Sequence, residues 1–108
     1  MKMKHFLIGA AAGSLLTMGV ALAEEGDPVR GQQLAETCMG CHAVEGLRNA
    51  YPSYRVPKLG GQTETYLFNS LIAYQDGSRA HPTMRAQASS LTEEEMRDIA
   101  AFFAQPKQ

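Results

Sequence analysis

Two cysteines and a histidine stand together in the segment Cys38-Met39-Gly40-Cys41-His42. The pattern C-x-x-C-H is typical of the covalent attachment site of a c-type haem. Thiols three positions apart reach the two vinyl groups on one edge of a porphyrin, and the histidine that follows is directed at the iron from one face. The motif therefore predicts one haem c per chain, with Cys38 and Cys41 as its covalent links and His42 as an iron ligand.

Two other chemistries use the same residue types. A thioredoxin-like thiol pair normally opens a helix after a strand, whereas Cys38 and Cys41 stand at the end of a predicted helix in a chain without convincing strands. A zinc site could be drawn from Cys38, Cys41, His42 and His81. Adjacent cysteine and histidine ligands are awkward for a tetrahedral ion, however, and the usual histidine spacing is missing. Both remain minor alternatives to haem.

A low-spin haem iron needs a sixth ligand. Met84 is the favoured candidate because it lies in a predicted loop, 42 residues after His42, from which a thioether could reach the far face of the ring. His81 is the alternative, although the proline after it restricts its backbone. Met39 lies inside the motif, and Met96 falls on an apolar helix stripe. An open sixth position is the third possibility. Methionine opposite histidine raises the reduction potential.

The first 23 residues read as a secretory signal peptide. A lysine-bearing start precedes an uncharged apolar stretch, and Ala21-Leu22-Ala23 fits a small-x-small cleavage site. An uncleaved anchor is the competing interpretation, but the stretch is short for a membrane span and rich in glycine. Cleavage would leave residues 24–108 as the domain, with 8 basic and 11 acidic side chains and a net charge of −3. The sequence thus predicts a periplasmic protein without stable membrane insertion.

Three main helices are predicted in the remaining chain. The first starts at Asp27-Pro28, an N-cap followed by proline at the first helical position. It contains Gly31, which marks either a weak helix or the close approach of another helix. The second runs from Thr63 to Tyr74 and is closed by Gly77.

The third helix has a capping box, Thr92 with Glu95. Its apolar stripe consists of Met96, Ile99, Ala100 and Phe103. The segments Gly46–Gln62 and Ser78–Ser90 read as loops. A loop of that length is unusual in a small domain unless it wraps something. The fold class is therefore all-α, with three helices and long loops around a bound group.

Other functional classes find no support in the sequence. The charge balance offers no basic excess for nucleic-acid binding. Patterns for paired-carboxylate, Ser-His-Asp or phosphate-loop chemistry are not found in it. The glutamates 93–95 read as a capping run on a solvated helix face.

Over essentially its whole mature length the chain resembles the class I c-type cytochromes, and most closely a single domain of the cytochrome c4 type. The resemblance rests on the motif at 38–42 and on several short segments. These are Asp27-Pro28-Val29-Arg30-Gly31, Pro57-Lys58-Leu59-Gly60-Gly61-Gln62, Tyr66-Leu67, Gly77-Ser78-Arg79, Met84 and Ile99-Ala100-Ala101-Phe102-Phe103. It implies the small cytochrome c fold, built around one covalently bound haem.

The resemblance also implies roles for individual residues. Pro57 would accept a hydrogen bond from the Nδ1–H of His42 and so fix that ring. Leu59 would pack on the haem face, and Arg79 would interact with a haem propionate. Gly31 would be the point where the last helix crosses the first, with Phe102 or Phe103 over it.

The implied function is single-electron transfer without bond-making chemistry. Cytochromes c4 have two haem domains, whereas this chain has one C-x-x-C-H motif. It is expected to be a periplasmic carrier between a quinol-oxidising complex and a terminal oxidase or reductase. The alternative is the haem subunit of a larger enzyme, such as a flavocytochrome sulfide dehydrogenase, whose flavoprotein would then be its partner.

Overall fold

Five helices follow one another in the residues that the computed structural model describes, which are 24–50 and 53–106 together with Gly13 and Gly19. They are α1 Pro28–Leu34, α2 Glu36–His42, α3 Glu64–Asp76, α4 Pro82–Ala88 and α5 Glu93–Ala104. The only β pairing within these residues is an isolated bridge between Arg48 and Arg55. The predicted all-α class is confirmed. The predicted signal peptide falls almost entirely outside the described residues.

The first predicted helix is present as two short helices, α1 and α2. Asp27 caps α1 by accepting hydrogen bonds from the amides of Val29 and Arg30, which satisfies amides that have no partner inside the helix. Ala35 separates α1 from α2, yet the amide of Met39 still donates to the Ala35 carbonyl at 2.9 Å. The C-x-x-C-H motif therefore lies on α2, which is joined to α1 by backbone hydrogen bonds through Ala35.

The caps of the two longer helices come mainly from local sequence. Thr92 and Glu95 form the predicted capping box of α5, with each side chain accepting from the other residue's amide. Gly77 ends α3 in the left-handed conformation, φ 83°, where residues other than glycine are strained. Thr63 occupies the N-cap position of α3 without a side-chain cap bond. Its amide instead donates to the Gln62 side chain at 2.8 Å.

Helices α1 and α5 cross at Gly31. A Cβ on Gly31 would lie 1.9 Å from the Asp98 carbonyl oxygen and 3.0 Å from the Cβ of Phe102. Such a distance is possible only for glycine, so the crossing predicted from the resemblance is confirmed, with Phe102 as the aromatic neighbour. The buried Asp98 ties the same junction together, since its Oδ1 accepts from the Asp27 amide at 2.7 Å and its Oδ2 pairs with Arg30 at 3.0 Å.

The core lies between α1, α3 and α5. Its buried cluster consists of Ala35, Leu67, Ile99, Ala100 and Phe103. The apolar stripe predicted for the last helix is thus buried, and Met96, with none of its surface exposed, belongs to the interior as expected. None of the helices in the described part of the chain is long and apolar enough to cross a membrane.

One predicted element is wrong. The sequence pattern favours a loop over Ser78–Ser90, but residues 82–88 form α4. Pro82 occupies the first helical position, where proline is favoured, and the ring of His81 supplies the cap by accepting the amide of Met84. Met84 is therefore presented by the first turn of a short helix, not by a flexible loop.

Candidate haem-binding site

His42 ends α2 with its ring held by the long loop. Its Nδ1 lies 2.6 Å from the carbonyl oxygen of Pro57. A carbonyl can only accept, so Nδ1 carries the proton and donates, and Nε2 is left with its lone pair for a metal ion. A backbone acceptor behind a histidine fixes the orientation of the ring and raises its basicity as a ligand.

The loop that contains Pro57 is itself anchored at both ends. Before it, the Val56 amide donates to the Leu47 carbonyl at 2.9 Å. After it, the Gly61 amide donates at 2.9 Å to the carbonyl of Phe103 on α5. Between these anchors Leu59 is half-buried and packs against the core cluster. Pro57 and Leu59 are therefore placed by one backbone bond within the loop, to Leu47, and one to α5.

Cys38 and Cys41 lie one turn apart on α2, and both are free thiols. Cys38 is half-buried and packs against the core cluster, whereas Cys41 is exposed. Burial raises the pKa of the Cys38 thiol above its ordinary value, with a smaller contribution from Cys41 nearby. Because the thiolate is the reactive form of cysteine, we expect Cys38 to be the less reactive of the two thiols.

This difference can be measured on the chain before haem attachment. At mildly alkaline pH we expect iodoacetamide to alkylate Cys41 several-fold faster than Cys38, since Cys38 combines restricted access with a raised pKa. Peptide mass spectrometry of quenched time points gives the two rates, and urea-unfolded chain is the control in which the gap should close. Equal rates in the folded chain would contradict the asymmetry.

Arg79 and Met84 occupy the region around α3 and α4. The Arg79 guanidinium stacks over the Tyr74 ring, 4.8 Å from its centroid, and lies 3.3 Å from the Ser70 hydroxyl. Met84 is half-buried on the first turn of α4. Its amide donates to Nδ1 of His81 at 3.2 Å. The structure thus brings His42 to Pro57 and joins Met84 to His81, the residue that was its rival as a ligand.

The residues present fit a covalently bound haem. Two free thiols and a histidine with its Nε2 available share one helix end. The interior is short of large side chains, because four of the eight buried apolar residues in the described part of the chain are alanines. Tyr54 and Tyr66 are at least half-exposed. A flat aromatic cofactor would supply the apolar bulk that the protein itself does not.

The zinc alternative does not fit. Among residues 24–50 and 53–106, three or more histidine, cysteine or acidic side chains nowhere gather as a metal ion would require. His81, the fourth ligand of that alternative, has Nδ1 bonded to the Met84 amide and Nε2 3.1 Å from the Asn49 side-chain amide.

Comparison with known proteins decides the family. The Cytochrome c family model matches residues 28–106. The chain belongs to the cytochrome c family. Membership implies a covalently bound haem c and a role in electron transfer. The class I resemblance, of the c4 type, is confirmed by the relatives.

Three curated relatives show the kinds of cytochrome to which this chain is similar. This cytochrome is 39% identical over 95 residues to cytochrome c4 of Pseudomonas aeruginosa, covering 86% of this chain and 46% of the relative. It is 38% identical over 82 residues to cytochrome c-554(548) of Halomonas halodenitrificans, covering 73% of this chain and 95% of the relative. It is 31% identical over 100 residues to the cytochrome subunit of sulfide dehydrogenase of Chlorobaculum tepidum, covering 90% of this chain and 87% of the relative.

The solved structures agree with this assignment. Cytochrome c4 of Acidithiobacillus ferrooxidans superposes with a TM-score of 0.61 at 25% identity, covering 82% of this chain and 52% of that one. This cytochrome therefore spans about half the length of the c4 proteins it matches. It matches the two smaller relatives over most of their length.

Sequence reasoning missed the surroundings of Met84. Asn49, Tyr54 and Tyr74 all approach the ring of His81, and no sequence motif indicates any of them. Pro82 was the available signal, because proline commonly occupies the first position of a helix. Reading it as a helix start would have identified His81 as the N-cap.

Proposed function

We propose that this cytochrome is a periplasmic single-electron carrier with one haem c, attached through Cys38 and Cys41 and ligated by His42 and Met84. The single observation that carries the proposal is the 2.6 Å bond from His42 Nδ1 to the Pro57 carbonyl. It orients the imidazole at the end of the helix that bears both thiols, and it directs Nε2 away from that bond.

The remaining residues have supporting roles in this proposal. Leu59 packs on one face of the haem and keeps its contact with the core cluster. Arg79 neutralises a haem propionate, for which its exposed guanidinium on the Tyr74 ring is suited. When bound, the haem supplies a one-electron change between ferrous and ferric iron. The protein contributes the ligands, a fixed geometry and an apolar enclosure.

The direct test is to produce the chain in a bacterial periplasm equipped for haem attachment. Pyridine haemochrome analysis should give one haem c per chain, and a redox titration should follow a one-electron curve. N-terminal sequencing of the product should begin at Glu24, after the predicted cleavage site. A chain retained in the membrane fraction at its full length would contradict the periplasmic carrier.

Met84 is tested by its replacement. Met84→Ala should retain covalent haem but lose the weak red absorption band of methionine-ligated ferric haem. Its reduction potential should fall, because a methionine ligand raises that potential. Met39→Ala is the matched control, since Met39 is partly exposed inside the motif and should leave band and potential unchanged. An unaltered spectrum in Met84→Ala would show that another group is the sixth ligand.

A second function, the haem subunit of a larger oxidoreductase, is favoured by one comparison. The matched relative from Chlorobaculum tepidum is named a cytochrome subunit of sulfide dehydrogenase and is covered over 87% of its length. A carrier would exchange electrons with a quinol-oxidising complex and a terminal oxidase or reductase through small transient interfaces. A subunit would keep a stable partner. Co-purification of a flavoprotein from the native host would favour the subunit, and a monomer by sedimentation would favour the carrier.

A further inference from the structure

His81 connects three segments of the chain next to Met84. Its Nδ1 accepts the Met84 amide proton at 3.2 Å, within α4. Its Nε2 lies 3.1 Å from the side-chain amide of Asn49, in the long loop. The ring also lies 6.0 Å edge-on from the ring of Tyr74 on α3 and 6.2 Å from that of Tyr54. The residue before α4 is thus fixed from two other elements.

The hydrogen bonds at His81 are mutually consistent. Because Nδ1 accepts an amide proton, the neutral ring carries its own proton on Nε2. Nε2 then donates to the Asn49 carboxamide, whose oxygen takes the facing position by a 180° flip that leaves the heavy atoms in place. His81 is therefore anchored by Asn49 on one side while it caps the helix on the other.

The cap matters because α4 has little stability of its own. It contains seven residues, and helices of that length are marginal unless other groups hold them. The methionine side chain adds three rotatable bonds. The backbone of the first turn therefore sets where this flexible side chain starts, and the bond from the Met84 amide to His81 is the side-chain cap that holds this turn.

We propose that His81 is a positioning residue for Met84: its Nδ1 bond, anchored by Asn49 and Tyr74, holds the first turn of α4 where the thioether stays on the iron. This inference rests on the proposed ligation by Met84. Loss of the cap should free the turn and make Met84 easier to displace. The second candidate ligand of the sequence then supports the first and does not compete with it.

The test is displacement of Met84 by imidazole in the ferric holoprotein, followed through loss of the red band at one fixed pH. His81→Phe keeps an aromatic ring between the tyrosines but removes both hydrogen bonds, and imidazole should bind about fivefold more tightly, in line with the usual effect of losing a cap. His81→Asn restores a cap acceptor and should stay within about twofold of the unaltered protein.

Thr92→Ala is the matched control. It removes the cap of α5, a helix without a proposed ligand, and should lower the denaturation midpoint much as His81→Phe does. Its imidazole affinity should nevertheless equal that of the unaltered protein. A merely structural role for His81 would make the two variants alike in both measurements.

The outcomes separate the two proposals. If Met84→Ala loses the red band while His81→Phe binds imidazole like the unaltered protein, the positioning role is overturned and the ligation stands. The positioning role is likewise overturned if His81→Asn binds imidazole as tightly as His81→Phe. If Met84→Ala keeps its red band, the ligation is overturned and the positioning role with it.

Discussion

Replacing both Cys38 and Cys41 with serine is expected to abolish covalent haem attachment completely. A thioether link requires sulfur, and a serine hydroxyl is no substitute for a thiolate nucleophile. Both thiols are free and lie one turn apart on α2. The sequence has two cysteines, so no other cysteine can replace them. The measurement is haem staining after denaturing electrophoresis, supported by the intact mass of the chain.

The single variants sharpen this experiment. Cys38→Ser and Cys41→Ser each leave one possible thioether and should retain part of the haem. Met84→Ala is the control, since it changes a proposed ligand but no covalent link, and its haem should survive denaturation in full. Haem that stays on the double serine variant through acid extraction would refute attachment at this motif.

The haem also accounts for the unusual interior of this cytochrome. The core cluster contains two alanines among its five residues, and the buried large apolar side chains of the described residues are only Leu67, Met96, Ile99 and Phe103. A domain of this size seldom has a large enough hydrophobic core to be stable without a disulfide, a bound metal or another added stabilising link. With both cysteines free, the covalently held cofactor is the group that can supply the missing apolar contacts. We therefore expect haem attachment to raise the stability of the fold above that of the folded chain before attachment.

Local signals made much of this fold predictable. The capping box of α5 and the Asp27-Pro28 start of α1 each depend on residues within one turn of one another. Such patterns can be recognised in the sequence without knowledge of the tertiary structure. The C-x-x-C-H motif is equally local. By contrast, the His42–Pro57 bond joins residues 15 positions apart across a loop. Only the family resemblance, not the spacing, indicated it.

Pro82 signals the start of α4, but the side chain that caps this helix was not predictable in the same way. Histidine is not among the preferred N-cap residues, and His81 acts as one here while Asn49 and Tyr74 hold its ring. Those contacts come from 32 residues before it and from another helix. The sequence therefore predicted Met84 as the favoured ligand candidate but placed it in a loop, whereas it lies in the first turn of α4.

Replacing Gly31 with alanine is the second large effect that we expect, this time on stability. In an ordinary helix the change would be favourable by about 1 kcal/mol. Here the added Cβ would lie 1.9 Å from the carbonyl oxygen of Asp98 and 2.5 Å from its carbonyl carbon. Backbone atoms cannot rotate away as side chains can, so α1 and α5 must separate.

Separation of the two helices weakens more than one contact. The Asp98 carboxylate holds the Asp27 amide at 2.7 Å and Arg30 at 3.0 Å across the same junction. We expect Gly31→Ala to lower the free energy of unfolding of the holoprotein by at least about 2 kcal/mol, or roughly 10 °C in Tm. Guanidinium titration followed by far-ultraviolet circular dichroism gives the free energy, and scanning calorimetry gives Tm.

Gly40 provides the matched control because it is also a helical glycine, it occupies a variable position of the C-x-x-C-H motif, and no protein atom outside its own stretch of helix lies within 4 Å of its Cβ position. Gly40→Ala should leave stability unchanged or raise it by up to about 1 kcal/mol, as helix propensity alone dictates. Opposite signs for the same substitution in adjoining helices would locate the effect at the crossing. If Gly31→Ala is as harmless as Gly40→Ala, the two helices tolerate separation and the tight α1–α5 junction is not what stabilises the fold.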